Sequence, residues 1–288
     1  MGRAQGFPFR KGTLLGLFAL GSALVFAPAS GDVMPQRIVA EYTVDSRLKG
    51  KDPRKSMLRL GNYVANAKQE KFELNENWWA KDIDFSCVSP WNTKGGNTRA
   101  GVAVSRRHVL FCSHFPLQLG AKVYFRGTDG KGYGRILSAT NRVSVTDLTV
   151  GLLDEDLPLT VHPATILPDD YEKYIGSGAG LPVVSFDYEE KAIVSELLPI
   201  PGKNRNAYIR SRKPASELRS RFFEPIIAGD SGNPCFLVFN QDPVLLYTLH
   251  SGGAGGGPSV FHLKTMIQYE MDRLKSGYKL KEYVFPGK

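Results

Sequence analysis

Cysteine is scarce in this 288-residue chain, and none of the three, Cys87, Cys112 and Cys235, forms a C-x-x-C pair. This excludes cysteine-rich zinc motifs and leaves room for at most one disulfide. Cys112 and Cys235 lie within apolar runs, where cysteine behaves as a small buried hydrophobe. We therefore expect mostly buried free thiols and no metal site.

Apolar runs long enough to span a bilayer, about 20 residues, are also missing. At the N-terminus, Arg3, Arg10 and Lys11 precede the apolar stretch Thr13–Phe26, and small residues follow up to Gly31. These three parts predict a secretory signal peptide over residues 1–31, cleaved after Ala29 or Gly31. The alternative, a membrane anchor, is disfavoured because the stretch is short and broken by glycines. We expect a secreted or periplasmic protein with no stable membrane insertion after cleavage.

Dense blocks of like charge are missing too. The formal net charge is +9, and it falls to +6 without residues 1–31, which carry three basic residues and no acidic one. A basic surface can attract nucleic acid or acidic polymers, but Lys and Arg are scattered here, with only short clusters. The pattern favours a solvated basic face and no nucleic-acid partner, and it leaves the oligomeric state open.

The chain divides into a charged N-terminal part and a longer part with β-strand texture. Residues 32–80 are rich in charge and predict an N-terminal extension or propeptide, with a short helix over Ser56–Phe72. From residue 81 onward, short apolar runs alternate with turn residues, which predicts an all-β sandwich or barrel. The predicted strands are Gly101–Val104, His108–Cys112, Ala121–Arg126, Leu148–Leu153, Pro182–Phe186, Ala192–Leu198, Cys235–Phe239 and Val244–Leu249.

The last part of the chain has helical rather than strand periodicity. Apolar residues recur with helical spacing over Ser259–Leu274, which predicts a C-terminal helix. The domain should therefore extend over residues 81–275, with residues 276–288 as a tail. The glycine-rich Gly252–Gly257 is the single low-complexity segment, and no internal repeat is found.

The sequence Gly229-Asp230-Ser231-Gly232 carries the sharpest chemical signal. A serine hydroxyl attacks a carbonyl only if a base takes its proton and the side chain stands on an exposed turn. Glycines on both sides permit such a turn and let the Gly229 and Ser231 amides point at one oxyanion site. The alternative for this segment alone is an ordinary β-turn.

A histidine and an aspartate stand upstream in suitable contexts. His114 follows an apolar strand, where a base would be held rigidly and remain exposed, whereas His108 lies in a turn and is expected at the surface. Asp147 begins another apolar strand, where a carboxylate is costly to bury unless it accepts an imidazole N–H. A simple strand-start cap is the alternative for Asp147.

The order His114, Asp147, Ser231, with separations of 33 and 84 residues, is one of the known orders of a catalytic triad. Together with the motifs around these residues, residues 82–275 resemble the trypsin-like serine peptidases, over about two-thirds of the chain. The resemblance implies two six-stranded antiparallel β-barrels, residues 81–165 and 175–258, then the C-terminal helix. It also implies a secreted endopeptidase that needs no cofactor and hydrolyses protein or peptide substrates through an acyl-enzyme.

The resemblance has departures around the base and at the N-terminus. The cysteine that normally follows the catalytic histidine and forms a disulfide is replaced by Phe115. The usual Ile-Val-Gly-Gly activation sequence has only a faint counterpart in Arg37-Ile38-Val39-Ala40, 76 residues before His114. We therefore expect Asp230 to be held by local hydrogen bonds rather than by a freed N-terminal amine.

Four residues are candidates for the substrate pocket: Pro225, His250, Ser251 and Gly252. Pro225 stands six residues before Ser231, where trypsin-like enzymes carry an acid, so cleavage after basic residues is disfavoured. His250 is similar to the pocket histidine of glutamyl endopeptidases, which implies a preference for acidic residues at P1, the residue before the cleaved bond. The alternative places His250 behind the triad against Asp147.

Two other functions were compared with the peptidase. A catalytically silent trypsin-like domain would bind peptides or envelope proteins, but such a relative tends to lose a triad residue, and all three are present. An esterase on another scaffold needs G-x-S-x-G followed by Asp and then His, and this chain lacks the second glycine and that pair.

Overall fold

The computed structural model describes residues 35–61, 72–89, 100–202 and 207–286. The predicted signal peptide and its cleavage sites lie outside these residues. No helix in the described ranges is long and apolar enough to cross a bilayer.

The first sheet has six strands, all antiparallel, in the order β1-β2-β3-β6-β5-β4. Its end strands β1 and β4 contact each other, so the sheet is nearly barrel-shaped. The strands are β1 (Val88–Ser89), β2 (Gly101–Ala103), β3 (His108–Cys112), β4 (Lys122–Arg126), β5 (Gly132–Arg142) and β6 (Leu148–Leu153).

The second sheet has seven strands in the order β13-β10-β9-β8-β11-β12-β7. It is antiparallel except for β7, which pairs in parallel with β12 and makes the sheet one strand larger than predicted. Its strands are β7 (Thr165–Ile166), β8 (Pro182–Phe186), β9 (Ala192–Leu197), β10 (Tyr208–Arg212), β11 (Pro234–Phe239), β12 (Asp242–Thr248) and β13 (Gly256–Pro258). The described protein is thus mostly β, with two sheets and a C-terminal helix.

Close backbone packing explains why a strand forms in the glycine-rich segment. β13 pairs with β10, with Gly257 opposite Ile209. A Cβ on Gly257 would lie 1.9 Å from the Thr248 carbonyl oxygen, so no side chain fits at this position. Glycine is required here by the approach of β12, and the segment is part of the sheet rather than a loose linker.

The described ranges contain five helices. They are α1 (Pro35–Leu48), α2 (Pro53–Ser56), α3 (Glu172–Ile175), α4 (Glu217–Ser220) and α5 (Lys264–Arg273). The C-terminal helix is shorter than the predicted Ser259–Leu274. The helix predicted over Ser56–Phe72 is wrong in its described part, because Leu58 and Leu60 form β-bridges instead. Residues 62–71 of that prediction lie outside the described residues.

The N-terminal segment packs into the main core. Ala40, Val44 and Leu48 of α1 are fully buried, and the helix packs against β11 and β8. Near the C-terminal end of the segment, the ring of Trp78 contacts that of Phe85. The Phe85 ring in turn lies against Phe186 at a centroid separation of 5.0 Å. The assignment of residues 32–80 to a propeptide remains a prediction, but their described part is built into the fold.

The segment after α5 also packs on the second sheet. Tyr283 donates its backbone N–H to the Ile166 carbonyl at 2.8 Å. The ring of Phe239 in β11 stacks on Tyr283 and contacts Phe285 edge-on. Residues 276–286 therefore cover an end of the core.

All three cysteines are buried and free. The expectation of buried free thiols is confirmed, and the chain has no internal disulfide. Burial raises the pKa of the Cys87 and Cys235 thiols above their ordinary value, so both stay protonated at neutral pH.

Candidate active site

His114 stands just after β3, the central strand that pairs with β6. Its backbone N–H donates to Asp147 Oδ1 at 3.0 Å, and the Ser113 N–H donates to the Asp147 carbonyl at 2.9 Å. These two bonds fix the histidine backbone to the loop before β6. The imidazole itself is 44% exposed, so a substrate can reach it.

Asp147 ends the loop that joins β5 to β6. Thr146 closes this loop by donating its hydroxyl to the Val143 carbonyl at 2.8 Å, and Val145 has a φ of +54°. A β-branched residue is strained in that conformation, so the surrounding contacts must keep the loop in this shape. The Asp147 side chain is mostly buried, and its Oδ2 lies 2.6 Å from His114 Nδ1.

Ser231 lies in the tight turn before β11, which belongs to the other sheet. Its Oγ is 2.8 Å from His114 Nε2, within range for proton transfer. The Gly232 N–H donates to the Leu249 carbonyl at 2.8 Å, which ties the turn to β12. Gly232 has a φ of +88°, and a Cβ there would approach Cys112 Sγ to 3.2 Å, so the turn depends on glycine.

The local hydrogen bonds expected for the Asp230 side chain are present in the structure. This side chain is buried, with Oδ1 accepting from the Tyr188 N–H at 2.9 Å and Oδ2 from the Ile227 N–H at 2.7 Å. Burial raises the pKa of Asp230, whereas these two bonds lower it. The faint counterpart of the activation sequence, Arg37-Ile38-Val39-Ala40, lies within α1, where the Arg37 side chain donates to the carbonyls of Ile175 and Ala179.

The candidate oxyanion donors flank Asp230. Gly229 has a φ of +108°, which only glycine adopts readily. Among the residues that the structure describes, neither the Gly229 amide nor the Ser231 amide donates a backbone hydrogen bond. A backbone amide away from water needs an acceptor. Both N–H groups could therefore donate to an oxygen atom of a substrate.

A cleft of about 1280 Å³ opens beside the triad. Of the predicted pocket residues it includes His250 only. Its two arginines, Arg142 and Arg210, were not predicted because they lie in strands that have no clear apolar pattern. The cleft is lined by Arg142, Val145, Thr146, Asp147, Pro201, Ala207, Tyr208, Arg210, His250, Pro258 and Leu263.

The other three pocket candidates, Pro225, Ser251 and Gly252, lie outside the cleft lining. Ser251 accepts a hydrogen bond from the Tyr208 hydroxyl at 3.0 Å, and Gly252 is followed by Gly253, which pairs with Ile226 in an isolated bridge. Pro225 is exposed at the surface. His250 Nδ1 lies 2.7 Å from Asp147 Oδ2, which matches the alternative position weighed for it, and its ring also faces the cleft.

One group in the described ranges has the residue types of a metal site. Cys112, His114 and Asp147 have potential ligand atoms within 4.8 Å of one another. Both ring nitrogens of His114 and both carboxylate oxygens of Asp147 already have polar partners inside the triad. The potential ligand atoms of His114 and Asp147 therefore take part in the hydrogen bonds of the triad.

His108 lies away from this site and is not at the surface as expected. It is fully buried, with Nδ1 2.8 Å from the Ser105 hydroxyl and Nε2 3.1 Å from the Ser276 hydroxyl. Burial, with a smaller contribution from Arg107, lowers the pKa of His108 to about 4. Its two hydroxyl partners make burial of the neutral ring possible.

Comparison with models of known protein families gave no match. Comparison with curated proteins gave none either.

Proposed function

We propose that this protein is a serine endopeptidase that hydrolyses peptide bonds through a Ser-His-Asp triad and an acyl-enzyme intermediate. The observation that carries the proposal is the position of the His114 ring, which has Asp147 Oδ2 at 2.6 Å on one nitrogen and Ser231 Oγ at 2.8 Å on the other. This is the geometry that activates a serine hydroxyl.

The chemistry follows from these contacts. Ser231 Oγ attacks the substrate carbonyl carbon while its proton passes to His114 Nε2, and Asp147 stabilises the imidazolium. The carbonyl oxygen takes the negative charge and accepts from the Gly229 and Ser231 amides. His114 then protonates the leaving amine as the C–N bond breaks, and water, deprotonated by His114, releases the acyl group.

We extend the proposal to membership of the trypsin-like peptidases, with the two sheets as the two barrels of that fold. In support, His114 and Asp147 come from the six-stranded sheet, and Ser231 precedes a strand of the other sheet. An active site between two β units, followed by a C-terminal helix, is what the sequence resemblance implies.

For specificity, we propose that P1 is not basic and that an acidic residue is preferred there. Pro225 offers no charge to a basic side chain. The cleft holds Arg142, Arg210 and His250, and its one acid, Asp147, already has three nitrogen atoms within 3.0 Å. A carboxylate on the substrate would meet mainly positive charge.

Export is a further part of the proposal. A signal peptide over residues 1–31 would deliver the protein to the periplasm or outside the cell. N-terminal sequencing of the active protein tests this, because a start at residue 30 or 32 is expected and a start at Met1 would contradict it.

A fluorophosphonate probe tests the catalytic proposal directly. We expect covalent labelling of the wild-type protein and none of Ser231→Ala. Ser276→Ala is the matched control, because Ser276 also contacts a histidine, His108, but away from the cleft, and it should label normally. A folded wild-type protein that neither labels nor cleaves peptides would instead favour the silent domain that binds peptides or envelope proteins.

A further inference from the structure

A buried ion pair joins the N-terminal segment to the hairpin between β8 and β9. Arg59 Nη1 lies 3.1 Å from Glu190 Oε2, and the two side chains are 3% and 0% exposed. The Arg59 guanidinium also donates to the Phe85 carbonyl at 3.0 Å and lies over the rings of Trp78 and Phe186. The arginine is thus fixed on several sides.

Backbone bonds strengthen the same junction. The Arg59 N–H donates to the Glu190 carbonyl at 2.9 Å, and the Ala192 N–H donates to the Met57 carbonyl at 2.9 Å. Leu58 forms a bridge with Lys191. The segment around Arg59 is therefore joined to the hairpin end by an isolated antiparallel bridge with two flanking backbone hydrogen bonds.

The hairpin end holds an unfavourable conformation. Glu190 has a φ of +65°, and its Oε1 is buried with no partner in the described ranges. Positive φ in a non-glycine residue and a half-satisfied buried carboxylate both cost stability. A buried ion pair is itself weak evidence for stability, because desolvation offsets the attraction. Such a costly arrangement points to a positioning role.

The same hairpin holds the turn of the nucleophile. Glu190 N–H donates to the Asp187 carbonyl at 3.1 Å and so closes the hairpin end. Within it, the Tyr188 N–H donates to Asp230 Oδ1 at 2.9 Å. Asp230 stands between Gly229 and Ser231, so its position sets the direction of both oxyanion amides.

We propose that Arg59 and Glu190 are positioning residues of the active site, which hold the Tyr188 amide on Asp230 and thereby align the Gly229 and Ser231 amides. The described N-terminal segment would then be a permanent part of the active enzyme and not a propeptide to be removed. This inference rests on the proposed peptidase function.

The test replaces the pair by apolar residues of similar size in Arg59→Met/Glu190→Leu. Because buried ion pairs can be exchanged in this way with little loss of stability, the fold should persist while the alignment is lost. We expect kcat to fall about tenfold or more with KM nearly unchanged, since a misaligned oxyanion donor affects the transition state rather than substrate binding. Affinity for a peptide boronic acid, which forms a tetrahedral adduct, should fall in parallel with kcat.

Two further variants separate positioning from general loosening. Glu190→Gln keeps the size and one acceptor for Arg59 and should retain more kcat than the double variant. Asp45→Asn is the matched control: Asp45 pairs with Arg219 at 2.7 Å and also joins the N-terminal segment to the second sheet, but away from Asp230. It should lower thermal stability and leave kcat unchanged.

The outcomes distinguish this inference from the proposed function. If the wild type cleaves peptides and the folded double variant keeps its kcat and boronate affinity, the positioning role is wrong while the peptidase stands. The same follows if Asp45→Asn loses as much kcat as the double variant at equal stability. If the folded wild type does not react with the fluorophosphonate, the peptidase proposal itself fails.

Discussion

His250 Nδ1 and His114 Nδ1 approach the same carboxylate oxygen, Asp147 Oδ2, at 2.7 and 2.6 Å. An unprotonated nitrogen at this distance would set its lone pair against those of the oxygen, so each imidazole carries a proton on Nδ1. Nε2 of His114 is then the acceptor for the Ser231 proton, and Nε2 of His250 is left for a ligand in the cleft. One aspartate thus orients the rings of two histidines.

The first prediction concerns the two roles open to His250. We expect His250→Ala to lower kcat/KM for peptides with Glu at P1 about tenfold more than for matched peptides with Leu. An Nε2–H of His250, with Nδ1–H kept on Asp147, would donate to the Glu carboxylate, and such a charged hydrogen bond is worth about 1.5–3 kcal/mol. The ratio of the two substrates removes any effect on Asp147, which both share. Equal losses on the two peptides would assign His250 to Asp147 alone and remove the acidic preference.

The second prediction concerns Asp147 as the residue that orients the base. Asp147→Asn should lower kcat on the order of 10⁴-fold with the fold intact, because the amide favours the wrong tautomer of His114. Asp84→Asn is a matched control, since Asp84 contacts His162 Nδ1 outside the cleft. It should leave steady-state kinetics unchanged, and a similar loss in both variants would contradict the triad.

The third prediction concerns the positive charge of the cleft. Arg210→Ala should lower kcat/KM about tenfold for peptides with acidic residues before P1 and leave neutral peptides unaffected, and the difference should shrink at high salt. Arg221→Ala, which removes an exposed arginine that is not in the cleft lining, is the control. An identical loss of kcat/KM for acidic and neutral peptides would show that Arg210 does not interact with the charge of the substrate.

The fourth prediction concerns the buried His108. Its folded pKa of about 4 lies below the ordinary 6.5, so the unfolded chain binds more protons between these values. Stability is therefore full above about pH 6.5 and falls as the pH drops towards 4, by about 3 kcal/mol in total. Arg107 and Asp272 act on this ring in opposite directions, and burial dominates both.

The measurement for His108 is urea unfolding of the wild type and His108→Gln at about pH 7 and about pH 4.5, and the variant should lose about 2 kcal/mol less on acidification. The variant is compared with itself at the two pH values, so its lost packing does not enter. A pH dependence equal to that of the wild type would mean that the histidine is not neutral when folded.

The fifth prediction concerns α1. Leu48 is fully buried, so Leu48→Ala should reduce the free energy of unfolding by about 2–5 kcal/mol, seen as a lower urea midpoint. Tyr42 on the same helix is 72% exposed, and Tyr42→Ala should change stability by less than about 0.5 kcal/mol. An unchanged midpoint for Leu48→Ala would mean that α1 is not part of the cooperative fold.

Strands that are wholly or almost wholly buried could be predicted from the sequence. His108–Cys112, Leu148–Leu153 and Pro182–Phe186 were predicted with the bounds that the structure has, because each is a short apolar run between turn residues. Gly132–Arg142 was missed since it is half-exposed and mostly polar. Tyr208–Arg212 and Gly256–Pro258 were missed as well, the last having no side-chain pattern at all.

Elements that depend on tertiary contacts could not be predicted. In the sequence of α1, the buried residues Ala40, Val44 and Leu48 stand among charged and polar residues, so no clear apolar pattern marks the helix. A helix of this length draws most of its stability from packing, which the sequence does not show. The burial of His108 likewise depends on Ser276, 168 residues away, whose hydroxyl no local pattern could link to it. The proximity of His114, Asp147 and Ser231 was easier to predict, because each of these residues lies next to a predicted strand.

Because Cys87, Cys112 and Cys235 are all buried and none forms a disulfide, the fold does not depend on an oxidising environment. The chain can reach its folded state without an oxidant or a disulfide isomerase, and a reductant has no bond to break. The stability of the fold depends on noncovalent packing, to which the N-terminal segment and residues 276–286 contribute. The unfolded chain, by contrast, would expose three thiols at once, so chemical modification of cysteine reports directly on opening.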